Sequence, residues 1–438
     1  MKVSLISLGC SKNLVDSEIM LGFIKKAGFT IKEYPVGSDI AIINTCAFIK
    51  EAKQEAIDAI FNLIELKKQN KLKKIIVAGC LPQRYAQDLP ELLKEVDGFI
   101  GPGSIDKIVS VIKKADNNAY TLITENNHYL YKHTTPRVSL TPKHYAYVKI
   151  ADGCDNCCTY CVIPQIRGSY RSRTIESITA EVKLLIKKGV KEINLISQDS
   201  TFYGKDIYGK PSLDLLLKNL VKIKGDFRLR ILYSHPLHFN KSVLNTIKNE
   251  PKICKYVDLP IQHINDKILK LMSRKVTKQQ IKSMINNIRT IMPEVALRTS
   301  LIVGFPRESE SNFKELYNFV KAMEFERLGV FTYSQEENTI AAGLKGQIPE
   351  KIKQSRLNEI MTLQQKIIEK KHNMLIGKQM QVLIEEVPKK SPACGRSQFD
   401  APDVDGLVYV NGSKLKPGDM LNVKITDSMV YDLIGDAL

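Results

Sequence analysis

The sequence predicts an α/β protein in three successive parts: an N-terminal domain on a parallel sheet, a central open (βα)6 partial barrel, and a small antiparallel β-barrel at the tail. Three observations carry that expectation. Apolar strand patterns alternate with amphipathic helix patterns twice along the 438 residues, as they do in parallel-sheet proteins. A polar stretch separates the two alternations. After a last long helical pattern the chain turns to short strands broken by turn residues, the habit of small barrels.

In the first part, residues 3–8, 40–44 and 75–78 read as strands, each followed by a helix, over 14–27, 50–68 and 89–95. A short strand at 98–100 and a helix at 105–114 complete a domain placed at 1–116. Residues 117–142, with Asn117, Asn118, Asn126 and Asn127, read as a linker. The barrel, placed at 143–372, has strand candidates at 145–150, 192–197, 228–234, 256–262, 296–303 and 327–334. Between the first two, Ile175, Ile178, Val182, Leu185 and Ile186 share one helical face, with Gly189 placed to end the helix. A helix over 357–374 leads to the tail domain, 373–438, where strands are expected at 380–385, 407–410 and 421–426.

No apolar run approaches the roughly 20 residues that span a bilayer, so no membrane association is expected. Nine cysteines in this length are too few for a disulfide scaffold. Their odd number, with no secretion signal, points to a reducing, cytoplasmic setting. A net charge of +18 would attract nucleic acid or the ribosome, although a solvated lysine-rich surface gives the same count.

Cys10, Cys46 and Cys80 each follow a predicted parallel strand. Ligands of open α/β sheets gather outside the carboxyl ends of the strands, so these three should converge. Three thiolates can hold a four-iron cluster and leave one iron open, whereas a structural zinc requires a fourth protein ligand. Cys154, Cys158 and Cys161 follow the first barrel strand with the spacing C-x-x-x-C-x-x-C, which lets one short loop wrap a second cluster at the C-terminal face of the barrel. Cys157 also permits two C-x-x-C pairs for zinc. Adjacent side chains diverge, however, so placing Cys157 and Cys158 on one ion needs a contorted loop. Cys157 therefore reads as a spare thiol, and Cys254 and Cys394 as structural.

These residues resemble the radical S-adenosylmethionine (SAM) superfamily, and within it the methylthiotransferases, over nearly the whole chain. The tail is similar to the TRAM/OB-like barrel of that family. The resemblance implies two 4Fe-4S clusters, on Cys154, Cys158 and Cys161 and on Cys10, Cys46 and Cys80, with SAM as cosubstrate. It makes Tyr160 a neighbour of the adenosyl group; Gln198 and Asp199, at a barrel strand end, are candidate cofactor contacts, or ordinary turn residues. The stretches 7–18, 192–204, 328–341 and 395–406 resemble the branch that acts on a ribosomal protein. That resemblance implies hydrogen abstraction from the β-carbon of an aspartate in small-subunit ribosomal protein twelve, free or within the ribosome. An unactivated C–H bond calls for a radical rather than a general base, so no side chain is expected to be catalytic in its own right. The resemblance further implies a 5′-deoxyadenosyl radical from the Cys154 cluster, a methylated sulfur presented at the Cys10 cluster, an electron donor and a sulfur donor. Arg307 stands where the family commonly has glycine, and Cys157 where it usually has another residue.

Two other functions fit parts of the pattern: a transfer-RNA methylthiotransferase with the same cofactors, and a noncatalytic iron–sulfur protein bound to the ribosome. The charge distribution bears on the first. Residues 373–438 hold seven basic against nine acidic residues, a net −2 that leaves +20 on the rest. A barrel that grips phosphates should be basic. Phe399 with Asp400, Asp403 and Asp405 accordingly reads as a candidate docking patch for a basic protein, or as a set of turn residues.

Overall fold

The structure, a computed structural model, describes residues 1–115, 119–124, 129–389 and 391–438. The first sheet is wholly parallel, with spatial order Thr30–Lys32, Lys2–Ser7, Ile40–Thr45, Lys74–Gly79, Gly98–Ile100 and Tyr120–Leu122. The central strands are buried almost throughout, and mostly apolar, because helices cover both faces. Ser11–Lys26 packs on one side, and Lys50–Lys68 on the other.

Two expectations about this part change. The helix expected at 89–95 is a single turn, Leu89–Leu92, and that at 105–114 is a 3-10 turn, Pro102–Lys107, running into Ile108–Lys114. The segment read as a linker is structural. Tyr120–Leu122 adds the sixth strand to the sheet, Tyr131 is buried, and Arg137 bridges Glu18 and Glu181 at 2.5 and 2.6 Å. Its four asparagines lie outside the described residues.

All six barrel strands form: Tyr145–Lys149, Glu192–Ile196, Arg228–Ile231, Tyr256–Asp258, Ala296–Val303 and Arg327–Thr332. They make two parallel three-stranded sheets that follow one another in sequence order, with a lone bridge from Leu229 to Ile253 between them. Alternate residues separate two cores: Ala146 and Val148 face the outer helices, while Tyr145 and Tyr147 face inward, towards Val15 and Ile19 of the first domain. Helix Ser11–Lys26 thus serves both domains.

The tail closes into a five-stranded barrel, with strands Ala393–Ser397 and Leu433–Ala437 added to the three expected. One pairing, between Val408–Asn411 and Leu433–Ala437, is parallel. Its loop over residues 396–405 plugs the N-terminal ends of the central strands. Arg396 donates to Glu192 at 2.9 Å, Arg230 to the Gln398 carbonyl at 2.9 Å, and Tyr256 Oη to Asp405 at 2.6 Å. Among the described residues, no helix is long and apolar enough to cross a membrane.

Candidate active site between two thiol triads

Cys46 and Cys80 follow directly on strands Ile40–Thr45 and Lys74–Gly79, and Cys10 comes three residues after Lys2–Ser7. These strands are neighbours in level register, Ser7 beside Asn44 and Asn44 beside Ala78. With strands about 4.8 Å apart, the turns that follow bring three sulfurs to one spot. Gly9 permits this with φ +86°: a Cβ there would lie 2.7 Å from Cys46 Cβ. Asn13 fastens the turns, donating to the carbonyls of Leu8 and Thr45 at 3.2 and 2.9 Å.

The second triad lies on the loop after the first barrel strand. Gly153, at φ +82°, lets that loop run where a Cβ would sit 2.1 Å from the Ser169 carbonyl. Cys154 is buried and Cys158 and Cys161 are partly so, whereas Cys157 is exposed, its Sγ 3.7 Å from the Asp155 carbonyl.

Thiol chemistry in both places favours a positively charged guest. Burial, aided by the neighbouring thiols, pushes Cys46 up to about 12. Burial pushes Cys154 and Cys161 up to about 12 as well, and it raises Cys80. Cys10 differs: burial alone would raise it, but Lys12, Arg167 and the backbone N–H groups at the start of helix Ser11–Lys26 outweigh that and bring it below its ordinary value. Crowded thiols of this kind ionise when a metal centre offsets their mutual repulsion.

Charged residues bind the two triads into one site. Arg167, 2% exposed, donates to Asp16 at 2.6 Å and to Asn13 Oδ1 at 2.5 Å, and lies 3.6 Å from Cys80 Sγ. Lys149 joins Asp16 at 2.6 Å and Asp152 at 2.8 Å, and Gln198 donates to Asp152 at 2.9 Å. Gln198 Oε1 is buried without a partner, an acceptor left for a ligand. At the barrel mouth Arg274 stands 3.6 Å from Cys158 Sγ. Farther out, Lys53 and Arg84, on the helices that follow Cys46 and Cys80, both reach Glu336 at 2.8 Å.

Among the sequence candidates, Tyr160 packs with Phe305, Met272 and Tyr333 beside the second triad. Asp199 accepts from Thr201 and Phe202 as the cap of a 3-10 turn, and its other oxygen meets His238 Nδ1 at 2.7 Å and Asn156 of the cluster loop at 2.8 Å. Burial alone would raise its carboxyl, but the bond with His238 and the other polar contacts hold it low. Asp199 is therefore a turn residue that also anchors the cysteine loop. The tail patch is not a free docking surface. Asp400 is buried against Arg327, Asp405 bonds Tyr256, Asp403 bonds Tyr147 at 2.8 Å, and Phe399 packs with the central core. Their partners are the N-terminal ends of the barrel strands, far along the chain, which the sequence alone did not connect.

Sequence reasoning assigned no role to Lys12, Asp16, Lys149, Tyr233 or Arg274. A signal existed for two of them: Asp16 interrupts a helix otherwise suited to burial, and Lys149 interrupts an apolar strand. Tyr233 holds φ +64° at the end of its strand, strain of a kind that collects at functional sites.

Comparison with known proteins follows this division of the chain. Residues 2–101 match the family described as "Uncharacterized protein family UPF0004", 148–320 the radical SAM superfamily, and 376–438 the TRAM domain. The ribosomal protein uS12 methylthiotransferase RimO of Geobacter sulfurreducens is 46% identical over 100% of this chain and 98% of its own length. The chain belongs to the RimO family. The RimO proteins of Desulforamulus reducens and Clostridioides difficile are 47% and 45% identical, over 99% and 100% of this chain and 99% of theirs. In fold, the chain is similar to the radical SAM methyltransferase TsrM of Kitasatospora setae, with a TM-score of 0.54 at 12% identity over 76% of this chain and 74% of that one.

Proposed function

We propose that the chain is a radical SAM methylthiotransferase that adds a methylthio group to the β-carbon of an aspartate of ribosomal protein uS12. Membership of the RimO family over the full chain supports the activity and substrate. The observation that carries the chemistry is the pair of thiol triads facing one junction, tied together by Arg167, Asp16 and Lys149. In this reading Cys154, Cys158 and Cys161 hold one 4Fe-4S cluster, and Cys10, Cys46 and Cys80 a second. With SAM bound, the two centres supply a 5′-deoxyadenosyl radical and a methylated sulfur.

The protein's own groups do the rest. Arg274 and Tyr160 flank the triad of Cys154, Cys158 and Cys161, and Asp199 fixes its loop through Asn156. Gln198 offers its unpartnered oxygen to a donor of the cofactor. Helix Ser11–Lys26 packs against residues of both domains and so holds them together at the junction. An electron donor and a sulfur donor act from outside, in the cytoplasm, and uS12 is met free or within the ribosome.

Mass spectrometry of ribosomal proteins and transfer RNA from cells with and without the gene tests this reading. A methylthio mass on uS12 that vanishes with the gene is expected. A change confined to transfer RNA would overturn the substrate, and absence of 5′-deoxyadenosine after anaerobic reduction with SAM would overturn the enzyme.

A further inference from the structure

Ten lysines and arginines are more than nine-tenths buried among the described residues. Eight of them pair with a carboxylate. The other two, Arg274 and Lys12, each stand beside a thiol triad. Arg274 is spent on Cys158 Sγ and on the Pro260 carbonyl, 2.6 Å away. Lys12 is 8% exposed, and its ammonium rests on the face of Tyr233, 3.2 Å from the ring centroid, with no hydrogen bond or ion pair. An ammonium carries three donors, and the ring face takes up none of them as a hydrogen bond. Burial of a charge on those terms is stable when an anion completes it.

The surroundings specify the anion. Ser11 Oγ and Tyr233 Oη share a hydrogen bond of 3.3 Å at the edge of the ring on which the ammonium rests, so one cation and a hydroxyl pair meet at the same tyrosine. That set suits a carboxylate, whose two oxygens accept several donors. Lys12 is two residues from Cys10, and Tyr233 leads from the strand Arg228–Ile231 into Ser234 and His235 at the barrel mouth, so the pocket is built from both domains. We infer that Lys12, with Ser11 and Tyr233, binds the side-chain carboxylate of the aspartate to be modified. The inference rests on the proposed function and deepens it. In aspartate the β-carbon is bonded directly to the carboxylate carbon, so a grip on the carboxylate fixes the reacting carbon to within one torsion.

The test uses the cluster-loaded protein and synthetic peptides spanning the target loop of uS12, with Asp or Asn at the target position. Fluorescence anisotropy reads affinity for wild type, Lys12→Gln and Lys12→Arg. Wild type should favour the Asp peptide at least tenfold, Lys12→Gln should bind both peptides like the Asn form, and Lys12→Arg should keep part of the preference. Equal binding of both peptides by wild type, or an undiminished Asp preference in Lys12→Gln, overturns the inference; Lys12 would then be only a counter-charge for the thiolates. The wild-type arm stands even where a variant loses its iron. If Lys12→Gln does not fold, Tyr233→Phe makes the same comparison, with a several-fold loss of Asp preference expected and an unchanged preference counting against the pocket. Failure of the functional reading is distinguishable, because wild type would then place no methylthio group on uS12 or the Asp peptide.

Discussion

Replacing Asp400 by Asn should loosen the tail barrel from the central one. Asp400 is 2% exposed and accepts from Arg327 Nε at 3.0 Å, from Arg327 Nη2, and from Ser397 Oγ at 2.6 Å. Burial alone would raise its carboxyl, but the Arg327 guanidinium and the Ser397 hydroxyl hold it below the usual carboxylate range. Breaking one half of a buried ion pair costs about 3–5 kcal/mol, because the other charge is stranded. The amide still accepts one hydrogen bond, worth about 1 kcal/mol, which leaves a loss of about 2–4 kcal/mol. The folded carboxyl is depressed, so its stabilisation is complete above the unfolded value near 3.9 and fades as pH falls through the folded value. A chain of several domains has no single unfolding free energy, so the assay is hydrogen exchange read by segment. Exchange across residues 396–406 should quicken about 30- to 900-fold, one decade per 1.36 kcal/mol, with the first sheet unaffected. Unchanged protection, together with weaker and salt-sensitive binding of uS12, would refute this and restore the docking patch.

Three further outcomes follow from single residues. Anaerobically reconstituted protein should hold about eight irons; Cys158→Ala should lose about half, and Cys157→Ala almost none, with the reverse pattern overturning the triad. Arg307 has φ +67°, a left-handed conformation that costs a side chain about 1–2 kcal/mol, against about 0.5–1 for the added freedom of glycine when unfolded. Arg307→Gly should therefore raise stability by about 0.5–1 kcal/mol, and a loss of more than that in chemical denaturation would contradict the strain. Burial pushes His263 down to about 3, below its unfolded value near 6.5. The unfolded chain then binds the extra proton between these values, so stability falls as pH drops below about 6.5. His263→Asn should flatten that limb of a melting-temperature profile; an unaltered limb would assign it to other groups.

The six barrel strands and the cysteine positions were legible because both are local: periodicity marks the strands, and a cysteine just after a strand marks its carboxyl end. Long-range pairing was not legible. Tyr120–Leu122 lies in a polar stretch and is a strand only because Gly98–Ile100 offers a free edge. Asp400, Asp403 and Asp405 look like turn residues beside Pro402 and Gly406, and only the packed structure supplies Arg327, Tyr147 and Tyr256 as their partners. Lys12 sits in the cysteine motif itself, yet nothing in spacing says that its ammonium meets Tyr233.

Helix Ser11–Lys26 has a consequence for how the chain is made. Its buried acids depend on residues synthesised much later: Glu18 on Arg137, and Asp16 on Lys149 and on Arg167, 151 positions downstream. At about 5–20 residues per second, Asp16 waits roughly 8–30 s for that last partner. During this interval the apolar side of the helix, with Val15 and Ile19, has no barrel to cover it. A nascent N-terminal domain therefore passes through a sticky stage, and slow translation across residues 137–167 would lengthen its exposure to chaperones and to misassembly.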